Sequence, residues 1–200
     1  MPLLLTRQTI SERLASFKST DRNIRHPMFR HPVGSSPIPA AVLIPIVHRT
    51  AQLSILLTKR TSHLKHHAGQ VSFPGGRVSD EDANRKITAL RETQEEIGLH
   101  LDESDLLGRL PEYDIRTGFR VTPVVAWIES PFDCVLDPFE VDSIFEVPME
   151  VVLDLGNYKL SSQSNESEKR YFYRLPHLDH EIWGATAGML YILASTLLEV

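Results

Sequence analysis

Glu92, Glu95 and Glu96 crowd the stretch Arg91-Glu-Thr-Gln-Glu-Glu96, just before Gly98. The i+3 and i+4 spacings put Glu92 beside both later carboxylates on one face of a helix. The glycine predicts that this helix ends there, so the acids meet the negative end of its dipole. Each such repulsion costs roughly 0.3–1 kcal/mol, and a purely structural helix would place Lys or Arg in this turn. A divalent cation removes the conflict, because hard oxygen ligands on one face suit Mg²⁺ or Mn²⁺. The competing reading is a solvated acidic face with Arg91–Glu95 as an i,i+4 pair. Glu92 and Glu96, one turn apart, form the better ligand pair; Glu95 either completes the site or faces Arg91.

The wider pattern, from Gly75-Gly76 to Leu99, resembles the Nudix box G-x5-E-x7-R-E-U-x-E-E-x-G-U, with U a bulky apolar residue. Gly76, Arg91, Glu92, Glu95, Glu96, Gly98 and Leu99 match it in type. The upstream acid is Asp82 instead of Glu, eight residues separate it from Arg91, and Thr93 holds the first apolar position. The preceding residues 56–76, LLTKRTSHLKHHAGQVSFPGG, resemble the added signature of the coenzyme A diphosphatase branch, L-L-T-x-R-[SA]-x3-R-x3-G-x3-F-P-G-G. Thr61 replaces Ser or Ala there. Lys65 replaces Arg, keeping the charge but not the bidentate fork. Residues 110–125 and 182–187 also look like segments of this branch.

The resemblance implies metal ligation by Glu92 and Glu96 with Glu95 nearby, and a Gly76 carbonyl joining them. It implies attack of water on a diphosphate phosphorus, with Arg91 orienting a carboxylate. It places Gly75 and Gly76 against substrate, and Arg60 and Lys65 where they would read the 3′-phosphate of coenzyme A. A further acid from a late loop is expected, and Glu140 is the candidate within the acidic stretch Asp137, Glu140, Asp142, Glu146 and Glu150.

Two hundred residues, 42% of them apolar, make one core-forming domain. We expect a Nudix domain over 40–200, with residues 1–39 as an N-terminal helix and extended segment packed on it. No apolar run is long enough to span a bilayer. Cys134 is the only cysteine, so there is no intramolecular disulfide, and a cytoplasmic location is expected. The net charge of −5 divides unevenly. Residues 1–70 hold 10 Lys/Arg against 2 Asp/Glu, residues 71–200 hold 11 against 24. A basic half facing an acidic metal site suits a polyphosphate substrate. The alternative is that these charges pair with the acidic half. Basic residues do not alternate with aromatics, so nucleic acid is not an expected partner.

The elements that must position these residues follow from pattern. Thr9 to Glu12 reads as a capping box opening a helix to about Phe17. Residues 40–47 and 52–59 read as a strand pair, with Pro45 at an edge or bulge. Residues 68–74 suggest a short strand and 85–97 the acidic helix. Residues 106–110, 121–128, 142–148 and 170–175 read as further strands, 161–169 as a mobile loop, and 186–198 as an amphipathic closing helix. His177 and His180 fall on a predicted loop. His63, His66 and His67 form a local cluster, exposed or facing phosphate. Trp183 reads as core packing. The mixed order argues an α+β fold, and the resemblance implies an α/β/α sandwich around a mixed sheet.

Three functions follow. The leading one is a metal-dependent diphosphatase of coenzyme A and its thioesters, yielding 3′,5′-ADP and 4′-phosphopantetheine or its acylated form. The others are a Nudix hydrolase of ADP-ribose, a dinucleotide or an NTP, and a nucleotide-binding module without turnover. The enzyme would work as a monomer or homodimer.

Overall fold

Apolar residues alternate through 40–47 on both parities, which marks a strand buried on two faces. In the computed structural model, which describes residues 5–17, 31, 34–50, 52–63, 68–165 and 168–198, this is the centre of the fold. The elements in chain order are α1 (Arg7–Ser16), β1 (Ile38–Arg49), β2 (Gln52–Arg60), β3 (Val71–Ser72), β4 (Gly75–Arg77), α2 (Arg85–Ile97), β5 (Leu106–Arg109) and β6 (Tyr113–Asp114). They continue with β7 (Phe119–Glu129), β8 (Val141–Pro148), α3 (Met149–Leu153), β9 (Lys159–Asn165), β10 (Glu168–His177), β11 (His180–Trp183) and α4 (Gly184–Leu198). The large sheet runs β3-β2-β1-β7-β5, with β4 on β1, β6 on β7 and β8 on β2. Among the described residues only β1 and β7 pair in parallel, in register from Ile38–Phe119 to His48–Glu129. The sheet is therefore mixed. A second sheet runs β11-β10-β9.

Period-2 patterning splits the strands between two layers. Ala40, Ile44 and Ile46 of β1, Ile55 and Leu57 of β2, and Val121, Val125 and Trp127 of β7 face the larger core, with α1, α3, α4 and the second sheet. Ala41, Leu43, Val124 and Ala126 meet Ala89 of α2 on the other face. Val47, Leu56 and Ile128 meet Ile97 there. Each fully buried Leu or Ile contributes roughly 1.5–3 kcal/mol.

Several expectations are corrected. Pro45 lies in an interior strand. Its missing N–H is tolerated because β1 changes partner there: β4 pairs residues Ala40 to Val42, and β2 pairs only from Ile46. Residues 161–165 and 168–169, expected to be mobile, are paired strand: β9 and β10 run antiparallel from Arg174–Lys159 to Glu168–Asn165. Ser162, Gln163 and Ser164 are exposed there, which accounts for their polar character. His177 and His180 are paired strand ends across the β10–β11 turn. Only Val71 and Ser72 of the 68–74 segment form strand. The cap of α1 is Thr6, which exchanges hydrogen bonds with Thr9 one turn on. Helix α4 is not amphipathic. It is buried around almost its whole circumference because α1, α3, β10 and β11 all pack on it.

Candidate active site

Helix α2 spans the expected residues because both ends are capped. The Asn84 side chain accepts from the N–H groups of Lys86 and Ile87, at 2.8 and 3.2 Å. Gly98 takes the left-handed conformation at φ 69°, and its N–H donates to Gln94 O. Thr93 is fully buried but satisfied, its hydroxyl donating to Ala89 O at 2.7 Å. A threonine therefore fits where a bulky apolar residue was expected.

The last turn of α2 lies against Gly75 and Gly76 of β4. Glu96 is 4% exposed, and its carboxylate accepts the Gly75 N–H at 3.3 Å. Burial, with Glu140 and Glu92 adding to it, pushes its pKa up to about 8 even though Arg60 opposes the shift. Burial also raises the pKa of Glu92, against the pull of Arg91. A Cβ on Gly76 would collide with both Glu92 carboxylate oxygens, so glycine is what admits that side chain. Gly75 has φ 153° and its added Cβ would strike the Ala41 carbonyl.

Arg91 organises the acids. Its Nε and Nη2 donate to the two Asp82 oxygens at 3.0 Å each, Nη2 also donates to Arg77 O, and Nη1 reaches Glu92 at 2.9 Å and Glu95 at 2.8 Å. Asp82 is 2% exposed at its side chain, accepts the Thr88 hydroxyl and the Ser79 N–H, and is held well below the usual carboxylate range chiefly by Arg91. The eighth spacer residue before Arg91 thus leaves Asp82 in reach of the guanidinium. Glu95 is 59% exposed at its side chain and paired to Arg91.

The loop after β7 completes the site. Val135 N–H and Asp137 N–H donate to the helix-end carbonyls of Ile97 and Glu96, at 2.8 and 2.9 Å. Thr61 donates its N–H to Glu140 O and its hydroxyl to Phe139 O. Glu140 is thereby fixed beside the end of β2. Arg60 bridges two of these acids: Nη1 lies 3.6 Å from Glu96 and Nη2 3.6 Å from Glu140. The fit to a divalent cation rests on Glu96, a buried carboxylate that shares its neighbouring guanidinium, Arg60, with Glu140, and on the hard oxygens of Glu92 on the same face. Among the described residues, no three His, Cys, Asp or Glu side chains already converge on one point. Lys65, His66 and His67 lie outside the described residues.

Arg60, Gly75, Gly76 and Arg77 form one end of a cleft of about 740 Å³. Val42, Val121 and Met189 line it, with Asp114 and Arg116 from the β6–β7 region and Phe172 and Trp183 from the second sheet. Asp114, buried, accepts from Arg120 at 2.7 and 3.0 Å, which lowers its pKa. Trp183, expected in the core, is 41% exposed in this cleft. Its exposure could not be read from sequence, because it depends on how β11 pairs with β10 and how that sheet sits against the cleft. No helix among the described residues is long and apolar enough to cross a membrane.

A profile of the NUDIX domain matches residues 37–154. The uncharacterized Nudix hydrolase NudL of Escherichia coli strain K12 is 41% identical over 155 residues, covering 78% of this chain and 80% of its own. The protein of that name from Shigella flexneri is 38% identical over 181 residues, covering 90% and 93%. A MutT/nudix family protein from Enterococcus faecalis superposes with a TM-score of 0.53 at 16% identity, covering 86% of this chain and 65% of that one, a likeness of fold.

Proposed function

The chain belongs to the Nudix family of hydrolases, and we propose that within it this enzyme cleaves the diphosphate of coenzyme A and its thioesters to 3′,5′-ADP and 4′-phosphopantetheine or its acylated form. The observation that carries this reading is the position of Arg60, residues 70–73, Gly75 and Gly76, the described part of the 56–76 signature that lines the cleft. Arg60 closes β2 against Glu96, Thr58 donates to Ser72 O at 3.1 Å to join β2 to β3, and Gly75 and Gly76 lie under the acids of α2. Arg60 and the described residues of that signature therefore adjoin the acids of α2, which supports the reading.

Glu92 and Glu96 would hold Mg²⁺ or Mn²⁺, with Glu95 and Glu140 within the same acidic neighbourhood. When bound, the ion supplies neutralisation of non-bridging phosphate oxygens and acidification of water. Arg91, anchored by Asp82, holds the Glu92 carboxylate in one orientation. Arg60 offers five fixed donors to the diphosphate. Its engagement with Glu96 and Glu140 puts it beside the reacting anhydride, so we assign it to the diphosphate and not to the 3′-phosphate. Gly75 and Gly76 let substrate approach the backbone closely.

A panel of coenzyme A, acyl-CoAs, ADP-ribose, diadenosine polyphosphates and NTPs, each with Mg²⁺ and with Mn²⁺, tests the reading. Coenzyme A is expected to show the highest kcat/KM, with chelator abolishing turnover. A higher kcat/KM for ADP-ribose would leave the family membership and remove the substrate assignment.

A further inference from the structure

The chain has two tryptophans, and they sit in opposite surroundings. Trp127 is 5% exposed within the main core, whereas Trp183 is 41% exposed. Trp183 ends β11 and lines the same cleft as Arg60, Gly75 and Gly76. Phe172 of β10 packs against it, with ring centroids 5.7 Å apart and planes at 63°. The indole is thus braced from one side and open on the cleft side. A large aromatic left open in a concave, otherwise ordered wall marks a surface that a ligand covers.

We propose that Trp183, braced by Phe172, is the stacking wall for the planar base in the nucleotide half of the substrate. The inference rests on the diphosphatase reading, because one molecule must reach from the glycine end of the cleft to the second sheet. A purine presents a π-face that an indole can cover. The flexible, amide-bearing thiol arm has no such face, and its amides would lose water against the ring without gaining hydrogen bonds. The apolar floor of Val42, Val121 and Met189 suits that arm better. Gln163, exposed on β9 and lining the cleft, carries both a donor and an acceptor for the edge of a base.

Because Trp127 is enclosed, ligand-dependent quenching of intrinsic fluorescence reads Trp183. The full chain would be titrated, without metal, with adenosine 3′,5′-bisphosphate, AMP and 4′-phosphopantetheine. The two nucleotides are expected to quench and phosphopantetheine is not. By calorimetry, Trp183→Leu should weaken adenosine 3′,5′-bisphosphate by on the order of ten- to a hundredfold, and Trp183→Phe should retain most of the affinity. Quenching by phosphopantetheine alone, or equal nucleotide affinity in Trp183→Leu, overturns the assignment. Should Trp183→Leu fail to fold, the wild-type titration decides by itself. Quenching by nucleotides in an enzyme that leaves coenzyme A intact keeps the stacking wall and removes the substrate. Turnover of coenzyme A with no nucleotide quenching does the reverse.

Discussion

Glu96 concentrates the electrostatic tension of this protein in one side chain. Its folded pKa of about 8 stands above the ordinary 4.5, so between those values the folded chain holds a proton that the unfolded chain has lost. The sign is that of a raised pKa: the metal-free protein is expected to lose stability as pH rises from about 4.5 to 8. Glu96→Gln should flatten that slope, raise the melting temperature of the metal-free protein at pH 8, and lower kcat by orders of magnitude. Calorimetric melts across the pH range with chelator present, alongside CoA turnover, check all three. A steep slope retained in Glu96→Gln would assign the effect to another group. Arg60 gives a second test at this scale. A guanidinium 3.6 Å from Glu96 competes with any cation for that carboxylate. Arg60→Gln should therefore bind Mn²⁺ more tightly, by about tenfold, while losing about ten- to a hundredfold in kcat/KM for coenzyme A and dephospho-CoA alike. Titration calorimetry and paired kinetics measure both. A loss confined to coenzyme A would return Arg60 to the 3′-phosphate.

Helix α2 does its work through its attachments. Its start is pinned by Asn84, its middle by the Asp82–Arg91 pair, and its end by Gly98 and the 135–137 backbone. Removing Asp82 leaves Arg91 with Arg77 O, the exposed Glu95 and the Glu92 carboxylate that it is proposed to orient. Asp82→Ala is expected to cost about 1.5–3 kcal/mol in urea denaturation, the range for a hydrogen bond to a charged group. It should lower kcat with KM little changed, since no substrate contact is removed. Unchanged kcat would show that Glu92 is oriented without this anchor. Asp82→Asn, which preserves shape and part of the hydrogen bonding, should fall between wild type and Asp82→Ala.

Across the whole molecule, the N-terminal helix belongs to the same core as the sheet. Ile10 and Leu14 are buried with Leu107, Leu190 and Leu197. Gly108 lets α1 approach, since an added Cβ would meet Leu14 Cβ at 3.1 Å. Arg13 donates to Leu197 O at the end of α4, and Ser11 donates to Leu107 O at 2.9 Å. Leu14→Ala is accordingly expected to cost about 2–5 kcal/mol, the usual range for emptying a buried leucine site. It should leave KM for substrate unchanged, because α1 and the cleft share no residue. Chemical denaturation and steady-state kinetics on one preparation separate the two effects. A raised KM would mean that the α1 face transmits to the cleft.

The acidic helix and its glycine stop were legible in the sequence because their signals are local. A 3.6-residue period, an Asn cap and a Gly end decide α2 within 15 residues, and they set Glu92 and Glu96 on one face. Residues 40–47 and 52–59 were legible as a strand pair for the same reason, since two short apolar runs rich in branched residues are joined by a short polar connection. What lay beyond reach depended on neighbours distant in the chain. Pro45 is interior because β1 exchanges β4 for β2 at that point, a fact of pairing and not of composition. The polar 161–165 segment is strand because β10 supplies its hydrogen bonds, and that sheet leaves Trp183 open to the cleft. Asp82 and Glu140 come beside Arg91 and Arg60 only once loops are tied down by backbone hydrogen bonds. Residue types and spacings determined which chemistry this chain can carry. Burial and long-range pairing decided which carboxylates are desolvated, which cations meet them and which aromatic ring lies open to the cleft, because those are properties of surroundings that no single stretch of sequence contains.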